Sequence, residues 1–226
     1  SGTTLDSAAL AALATRIDTR MKEARTVAFH TEVRSFAGPD ESGTSADTTI
    51  TGSWRYTTDV SMTMHVVNQP GGQDREDLDA VVVPRTVYTK KPSYRGWRRT
   101  DDGIADDAVG WPAMAVPELL YLKGAKSATS VREVLDGITV TRTDVSPDPV
   151  VMGALFHGKR ARADLAAIAD QQGTISMSVW IDELGLPVKA TVLLSGKQAK
   201  RSTTRLSDWG RGATITVPQD NELAQE

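Results

Sequence analysis

Aliphatic and polar residues alternate most regularly near the end of the chain. Every second residue is aliphatic in residues 175–181, and the alternation resumes in residues 188–194. A period of two residues is typical of a β-strand with one apolar face. Gly185 and Pro187 separate the two runs and favour a tight turn before the return strand. The pattern therefore predicts a β-hairpin, around which the rest of the chain is organised.

Two further runs extend this hairpin into an antiparallel meander. Residues 200–206 are polar on both faces, and residues 213–218 alternate again. Asp208-Trp209-Gly210 lies between them and is typical of a bulge or corner that is anchored by its aromatic ring. We therefore expect four closing strands within residues 173–218.

The first half of the chain predicts one helix followed by several strands. Apolar residues recur about every four positions from Leu5 to Met21, as in an amphipathic helix, and Thr4 or Asp6 is placed to cap its first turn. Alternation then predicts strands at residues 26–37, 48–56, 59–67 and 77–90, where Pro84 marks an edge, a bulge or a break, and a short aromatic strand at residues 94–99.

The middle of the chain has shorter and more apolar elements. Pro117 is placed at the first position of a short apolar helix that reaches Leu122. Residues 128–144 alternate and predict one strand, and the Ala-rich residues 159–172 predict a second good helix. Runs of strands interrupted by a few helices indicate an α+β fold, in which helices pack on one face of a strongly curved antiparallel sheet. No linker divides the chain, so we expect one domain over residues 1–226.

Composition excludes several classes of function. The formal net charge of −3 provides no basic surplus for binding nucleic acid. No apolar run approaches the roughly 20 residues that a membrane-spanning helix requires. Because the chain contains no cysteine, disulfides, thiolate zinc sites and cysteine nucleophiles are excluded together. These exclusions leave a soluble globular protein with no nucleic-acid partner.

Motifs for catalysis are missing from the sequence. The three histidines, His30, His65 and His157, lack metalloprotease spacing, and the chain has no serine-nucleophile elbow and no glycine pattern for nucleotides. The acidic residues 101–107 could hold calcium through carboxylates, but their spacing departs from the EF-hand loop and no glutamate closes it. We therefore predict no enzyme activity, no cofactor and no metal.

The motifs of the chain, taken in order, resemble a family over nearly its whole length. The family is that of LolA-like actinobacterial lipoproteins of the LppX/LprG type. The first half matches it mainly in order and spacing, and the end matches it more specifically. The matching motifs are Gly52-Ser53-Trp54-Arg55-Tyr56, Tyr88 with Trp97-Arg98, Leu119-Leu120, Val179-Trp180-Ile181-Asp182 with Gly185-Leu186-Pro187, Asp208-Trp209-Gly210, and Ile215-Thr216-Val217-Pro218.

This resemblance implies a fold, a location and a ligand. The implied fold is a half-open β-barrel wrapped over helices, and the implied ligand is a lipid held in an apolar cavity between sheet and helices. The implied location is the outer face of the cytoplasmic membrane, where an acylated cysteine anchors the protein. The chain starts without Met, and residues 1–4 have the character of a cloning remnant or a trimmed mature end. We therefore expect a signal peptide and a lipidated cysteine upstream.

Three functions from different classes follow from these observations. The first is a monomeric extracytoplasmic carrier of lipid or another hydrophobic ligand. The second is a cell-envelope interaction or signalling module with the same fold and a filled core. The third is a hydrolase, for which the sequence provides no nucleophile and base. An open cavity and a packed core both require apolar inward faces, so the sequence leaves the first two open.

The ligand is expected on the concave face of the curved sheet. Alternation assigns one residue in two of each strand to that face. The methionines of residues 60–66 fit either an irregular core or an adaptable binding surface. We expect the short helix led by Pro117 to act as a gate. The predicted ligand-binding residues are Phe29, Met62, Met64, Val82, Leu119, Leu120, Leu122, Ile175, Met177, Val179, Val192 and Leu194.

Overall fold

A computed structural model describes residues 2–41, 43–57, 61–70, 75–101, 120–156 and 159–224. The strands in these ranges are β1 (Thr3–Asp6), β2 (Thr26–Phe36), β3 (Thr44–Arg55), β4 (Ser61–Pro70), β5 (Glu76–Val83), β6 (Thr86–Lys90), β7 (Arg98–Asp101), β8 (Ser127–Leu135), β9 (Ile138–Val145), β10 (Thr174–Asp182), β11 (Pro187–Ser195) and β12 (Ala199–Ser207). The helices are α1 (Ser7–Ala24), α2 (Leu120–Lys123), α3 (Pro149–Leu155) and α4 (Lys159–Asp170), and a 3-10 turn covers Asp220–Glu222.

The described strands form one open, curved sheet of 12 strands. Their order is β1-β8-β9-β10-β11-β12-β2-β3-β4-β5-β6-β7, and each neighbouring pair is antiparallel. β2 lies inside the sheet between β12 and β3, so the closing meander joins the opening strands there. The α+β class and the curved antiparallel sheet predicted from the sequence are confirmed.

The predicted hairpin of β10 and β11 has the expected turn and register. Asp182 ends β10, and its Oδ1 accepts hydrogen bonds from the backbone N–H of Leu184 at 3.0 Å and of Leu186 at 2.8 Å. Gly185 has a φ of 84°, which a glycine adopts without steric cost. This register places Met177 opposite Val192 and gives both a buried position.

Helix α1 buries one stripe of side chains against the sheet. The buried residues are Leu10, Ala14, Ile17 and Met21, whose spacing follows the 3.6-residue helical period. Asp6 caps the helix, since its Oδ1 accepts the backbone N–H of Ala9 at 2.8 Å. Leu13 of the helix and Leu5 before it are partly buried against the same cluster. Leu5 belongs to β1 and pairs with Ala128, so the helix starts later than the apolar pattern.

Two predicted strands are each a pair of strands. Residues 128–144 form the β8–β9 hairpin, because Asp136 and Gly137 take positive φ values of 51° and 85° in its turn. Residues 77–90 divide into β5 and β6, so the break considered at Pro84 is confirmed. The reversal at Asp136-Gly137 was not predicted, because residues 128–144 were assigned to one strand, whereas Pro84 marked the other reversal.

The strand predicted at residues 213–218 is wrong, so the closing meander has three strands. This segment pairs with no strand among the residues that the structure describes, although the Nη2 of Arg55 donates to the carbonyl of Ala213 at 3.3 Å. The expected corner before it does form: Trp209 Nε1 donates to the carbonyl of Pro187 at 2.9 Å. The short aromatic strand predicted at residues 94–99 is instead β7, and the sequence analysis missed β1 and α3.

The C-terminal half of α1 is tied to the end of β3 through Asp18. Its Oδ1 accepts a hydrogen bond from the hydroxyl of Tyr56 at 2.7 Å, and its Oδ2 accepts one from Lys22 at 2.8 Å. Burial alone would raise the pKa of Asp18, but the hydrogen bonds from Lys22 and Tyr56 hold this pKa below the usual 3.8. The ionised carboxylate therefore stabilises the docked helix.

We expect Asp18→Asn to lower the free energy of unfolding near neutral pH by about 1 kcal/mol, the value of a part-exposed hydrogen bond to a charged group. A lowered folded pKa contributes stability above 3.8, and this contribution is lost as the pH falls through the folded pKa. The stability difference between wild type and variant should therefore shrink as the pH is lowered past 3.8. Urea unfolding at a series of pH values measures it, and a difference that is constant with pH would contradict the assignment.

Gly52 is the point in β3 where the sheet has no room for a side chain. A Cβ on this residue would overlap the carbonyl oxygen of Thr63 and lie 2.9 Å from the ring of Phe29. Gly153 in α3 is different, since a Cβ there meets no atom within 4 Å. The two glycines therefore make a matched pair for testing the packing of the inner face.

Gly52→Ala should reduce the free energy of unfolding by about 3 kcal/mol, because the added methyl group must displace backbone or Phe29. Gly153→Ala should change it by at most about 1 kcal/mol, in the stabilising direction, because alanine favours helix. Thermal and urea unfolding of both variants measure the two effects. Equal stabilities for the two variants would show that the inner face accommodates a larger residue 52.

Candidate ligand-binding face

The concave side of the sheet gathers most of the predicted ligand-binding residues into one buried cluster. Phe29, Met62, Met64, Val82, Leu122, Ile175, Met177, Val179, Val192 and Leu194 belong to this cluster, and each is at most 7% exposed. Leu120 is partly buried against it. Leu119 and the Pro117-led start of the predicted gate lie outside the described residues. The structure therefore brings together the described candidates.

An aromatic pair lies on the β2–β4 side of this face. Phe29 and Trp54 stack with their ring centroids 4.7 Å apart and their planes 25° from parallel. Trp54 stands opposite Val27 on one neighbouring strand and opposite Met62 on the other. Trp54 is missing from the predicted site, although its place in the alternation of β3 gave the signal that it faces inward.

The middle of the face is filled by protein. Met62, Val179 and Val192 have 0% of their surface exposed. A side chain without accessible surface borders neither solvent nor a void wide enough for a water molecule. In this conformation a ligand at these residues would have to displace packed side chains.

Several polar groups interrupt the apolar face. The hydroxyls of Thr31 and Thr204 lie 2.8 Å apart across β2 and β12, and those of Ser130 and Thr143 are also 2.8 Å apart. Within the part of the chain that the structure describes, the Nε1 of Trp54 and the Oγ of Ser202 are buried without a hydrogen-bond partner. Such groups are rare in native proteins, because an unpaired buried polar atom costs about 1–3 kcal/mol.

Comparison with known proteins identifies the fold. No protein-family model matches the chain, and no curated protein matches its sequence. LprF from Mycobacterium bovis matches in structure with a TM-score of 0.58 at 13% identity, over 94% of this chain and 98% of LprF. The lipoprotein LppX from Mycobacterium tuberculosis matches with a TM-score of 0.55 at 14% identity, over 92% of this chain and 99% of LppX. The chain has the fold of LprF and LppX. This confirms the LolA-like fold expected from the sequence motifs.

The outer face of this LolA-like sheet is polar. Arg142 on β9 bridges Glu133 and Asp144, each at 3.0 Å. Trp180 Nε1 donates to Glu133 Oε1 at 2.7 Å, and the ammonium of Lys189 lies 4.5 Å from the centroid of the Trp180 ring. These contacts cross strands β8 to β11, so the signature residue Trp180 belongs to the outer surface and holds neighbouring strands together.

The residues considered for catalysis or metal binding do not converge in the described structure. His65 Nδ1 lies 2.7 Å from Asp79 Oδ1 across β4 and β5, and His30 is 3.5 Å from Glu32, with all four side chains substantially exposed. His157 and residues 102–107 lie outside the described ranges. In the ranges described, no three acidic, histidine or cysteine side chains are grouped to hold a metal, and no helix is long and apolar enough to cross a membrane.

The unpaired hydroxyl of Ser202 can be compared with the paired hydroxyl of Thr204 on the same face of β12. Ser202→Ala should leave the free energy of unfolding unchanged or raise it by about 1 kcal/mol, because it removes a buried group that lacks a partner. Thr204→Val should lower it by about 1 kcal/mol, because it breaks the bond to Thr31. Urea unfolding distinguishes the two, and equal losses would mean that Ser202 is also paired.

Proposed function

We propose that this protein is an extracytoplasmic, lipoprotein-type binding protein that holds a lipid or another hydrophobic ligand between its sheet and its helices. The observation that carries the proposal is the shared fold with the lipoprotein LppX, together with the continuous apolar cluster on the concave face. The proposed lining is the predicted set of residues with Trp54 added.

Burial of an acyl chain on this face provides enough free energy for retention. Each methylene removed from water contributes about 0.8 kcal/mol, so a chain of about 14 carbons has a gross driving force near 10 kcal/mol before the costs of association and ordering. The flexible side chains of Met62, Met64 and Met177 are suited to rearrange around such a chain, because methionine has several rotatable bonds and no branch.

The unpaired polar groups favour a ligand that carries an acceptor oxygen. The indole N–H of Trp54 is a donor only, and it is buried without an acceptor in the described residues. An ester or carboxyl oxygen of a lipid would supply that acceptor and remove the cost of the unpaired group. We therefore propose acylated lipids in preference to pure hydrocarbons.

The packed centre of the face supports a second candidate, an interaction or signalling module of the cell envelope. Met62, Val179 and Val192 are completely buried, as in an ordinary core. This function requires no ligand and would use the outer surface of the sheet. In both cases we propose a monomer that is not an enzyme and acts as one domain over residues 1–226, anchored by lipid to the outer face of the cytoplasmic membrane.

Native mass spectrometry of the purified chain, followed by extraction into organic solvent, tests the carrier function. A carrier should show an added mass that disappears after extraction, and the extract should contain an acylated molecule. A chain that remains free of ligand after exposure to lipid dispersions would favour the interaction module. Where an added mass is found, fragmentation of the extracted molecule by tandem mass spectrometry identifies the ligand class.

Replacement of inward methionines by tryptophan tests the location of the ligand. Met64→Trp and Met177→Trp each add a large ring to the concave face, so they should lower the co-purified or exchanged lipid several-fold while the chain stays folded. Thr63→Trp is the matched control, since Thr63 neighbours Met64 on β4 and alternation directs it to the other face. Variants that unfold, combined with a parent that binds no lipid, would show that the face is a filled core.

A further inference from the structure

We propose that the end of the half-barrel formed by the tips of the β8–β9 and β10–β11 hairpins docks onto an anionic lipid bilayer. This end is called the tip surface below and is defined by Val134, Ile138 and Leu184. The inference rests on the proposed function, because it concerns the side of an anchored lipid-binding protein that faces the membrane. Exposure, chain direction, charge and the shape of the surface each support it.

The tip surface exposes large apolar side chains that the fold does not use. Val134 and Leu184 are each 70% exposed, and Ile138 is 46% exposed. The two hairpins that carry them are neighbours, since Arg132 Nη2 of one contacts Glu183 Oε1 of the other at 2.7 Å. Adjacent apolar residues on hairpin tips can enter the headgroup region of a bilayer without any change of fold.

The direction of β1 leads toward the same end. Thr3 pairs with Ser130, and Asp6 pairs with Ser127, so the chain upstream of β1 runs alongside β8 toward Leu135. Leu135 lies five residues beyond Ser130 on β8, which is about 17 Å of strand. A lipid anchor placed upstream, as the proposed function requires, would therefore hold the tip surface toward the membrane.

Basic side chains lie near the tip surface. Residues 16–25, in the second half of α1 and its cap, carry Arg16, Arg20, Lys22 and Arg25 against two acidic residues, and all four basic residues are exposed. This half of α1 reaches the tips, because a Cβ placed on Gly185 would lie 3.2 Å from the Cγ of Arg20. The local surplus of positive charge, in a chain whose net charge is −3, is complementary to an anionic membrane surface.

An apolar groove adjoins the tip surface. It has a volume of about 470 Å³, and its apolar lining residues are Ala28, Phe29, Leu135, Ile138, Val188 and Leu206. Its polar lining residues are His30, Asp136, Arg205 and Ser207, and Arg205 is paired with Asp136 at 2.7 Å. The groove can receive part of an acyl chain, while the basic side chains of α1 provide the positive charge for an anionic headgroup, because Asp136 offsets the charge of Arg205. A lipid bilayer therefore fits this end in both shape and charge.

The opposite end of the sheet provides a matched control. Val150 and Val151 on α3 are 69% and 42% exposed, comparable to the tip residues. Their helix begins at Pro149, which shares a pocket with Ser127 at the far end of β8. Val150 and Val151 are therefore exposed to a similar degree as the tip residues, but they lie at the end of the sheet opposite to the one toward which the chain upstream of β1 runs.

Sedimentation with vesicles of phosphatidylcholine, with and without phosphatidylglycerol, tests the proposal on the purified chain. The parent should bind the anionic vesicles, and Val134→Asp/Leu184→Asp should reduce the bound fraction about tenfold. Val150→Asp/Val151→Asp should bind like the parent. A parent that does not bind, or a Val150/Val151 variant that loses as much binding as the tip variant, would overturn the proposal.

Two further measurements distinguish a loss of docking from a loss of folding and from a failure of the carrier function. Leu184→Trp should show a blue-shifted emission when anionic vesicles are added, whereas Val150→Trp should not, and the reverse result would contradict docking at the tips. The lipid content of the tip variant, measured by extraction, should equal that of the parent. A parent that carries no lipid but docks through the tips would refute the carrier function alone, whereas lipid-loaded protein that ignores the tip substitutions would refute the docking alone.

Discussion

The structure depends on covering one long apolar face. A curved sheet of 12 strands directs alternate side chains inward, and water would contact that whole surface if no helix packed on it. Helix α1 covers part of it with Leu10, Ile17 and Met21, while Asp6 and Asp18 fix its two halves. The hydroxyl pairs Thr31–Thr204 and Ser130–Thr143 are tolerated in that face because the two members of each pair hydrogen-bond to each other.

The two proposed functions differ in how easily the side chains of this inner face must move. A carrier needs the cluster around Met64 and Met177 to open, whereas an interaction module needs it to stay closed. The buried N–H of Trp54 favours the first, since an unpaired donor lowers stability until an acceptor arrives. The complete burial of Val179 and Val192 favours the second. If the face opens for a ligand, the bound and free states would differ in the packing of these side chains more than in the path of the backbone.

The sequence predicted the elements whose signals are local. The β10–β11 hairpin could be predicted because Asp182 and Gly185 encode the turn and the alternation is regular on both sides. The β8–β9 turn was missed although the dipeptide Asp136-Gly137 is itself a hairpin signal, because the apolar residues on both sides of it were assigned to one strand. Residues 213–218 alternate as a strand would. A strand also needs a free sheet edge beside it, and the local sequence does not show whether such an edge is there. The alternation of apolar and polar residues predicted which side chains point inward. It could not predict whether they line an open cavity or fill a core, because both require the same apolar pattern.

The position of β2 between β12 and β3 has a consequence for how the chain reaches its final state. Thr31 and Thr204, which share a hydrogen bond, are separated by 173 residues. The central ladder of the sheet therefore cannot close until almost the whole chain is available, and contacts of such long sequence separation form slowly. Until then β2 and β12 each present an unpaired edge, which is a template for association with other chains. A newly made chain of this design therefore needs protection against aggregation until β12 has paired with β2.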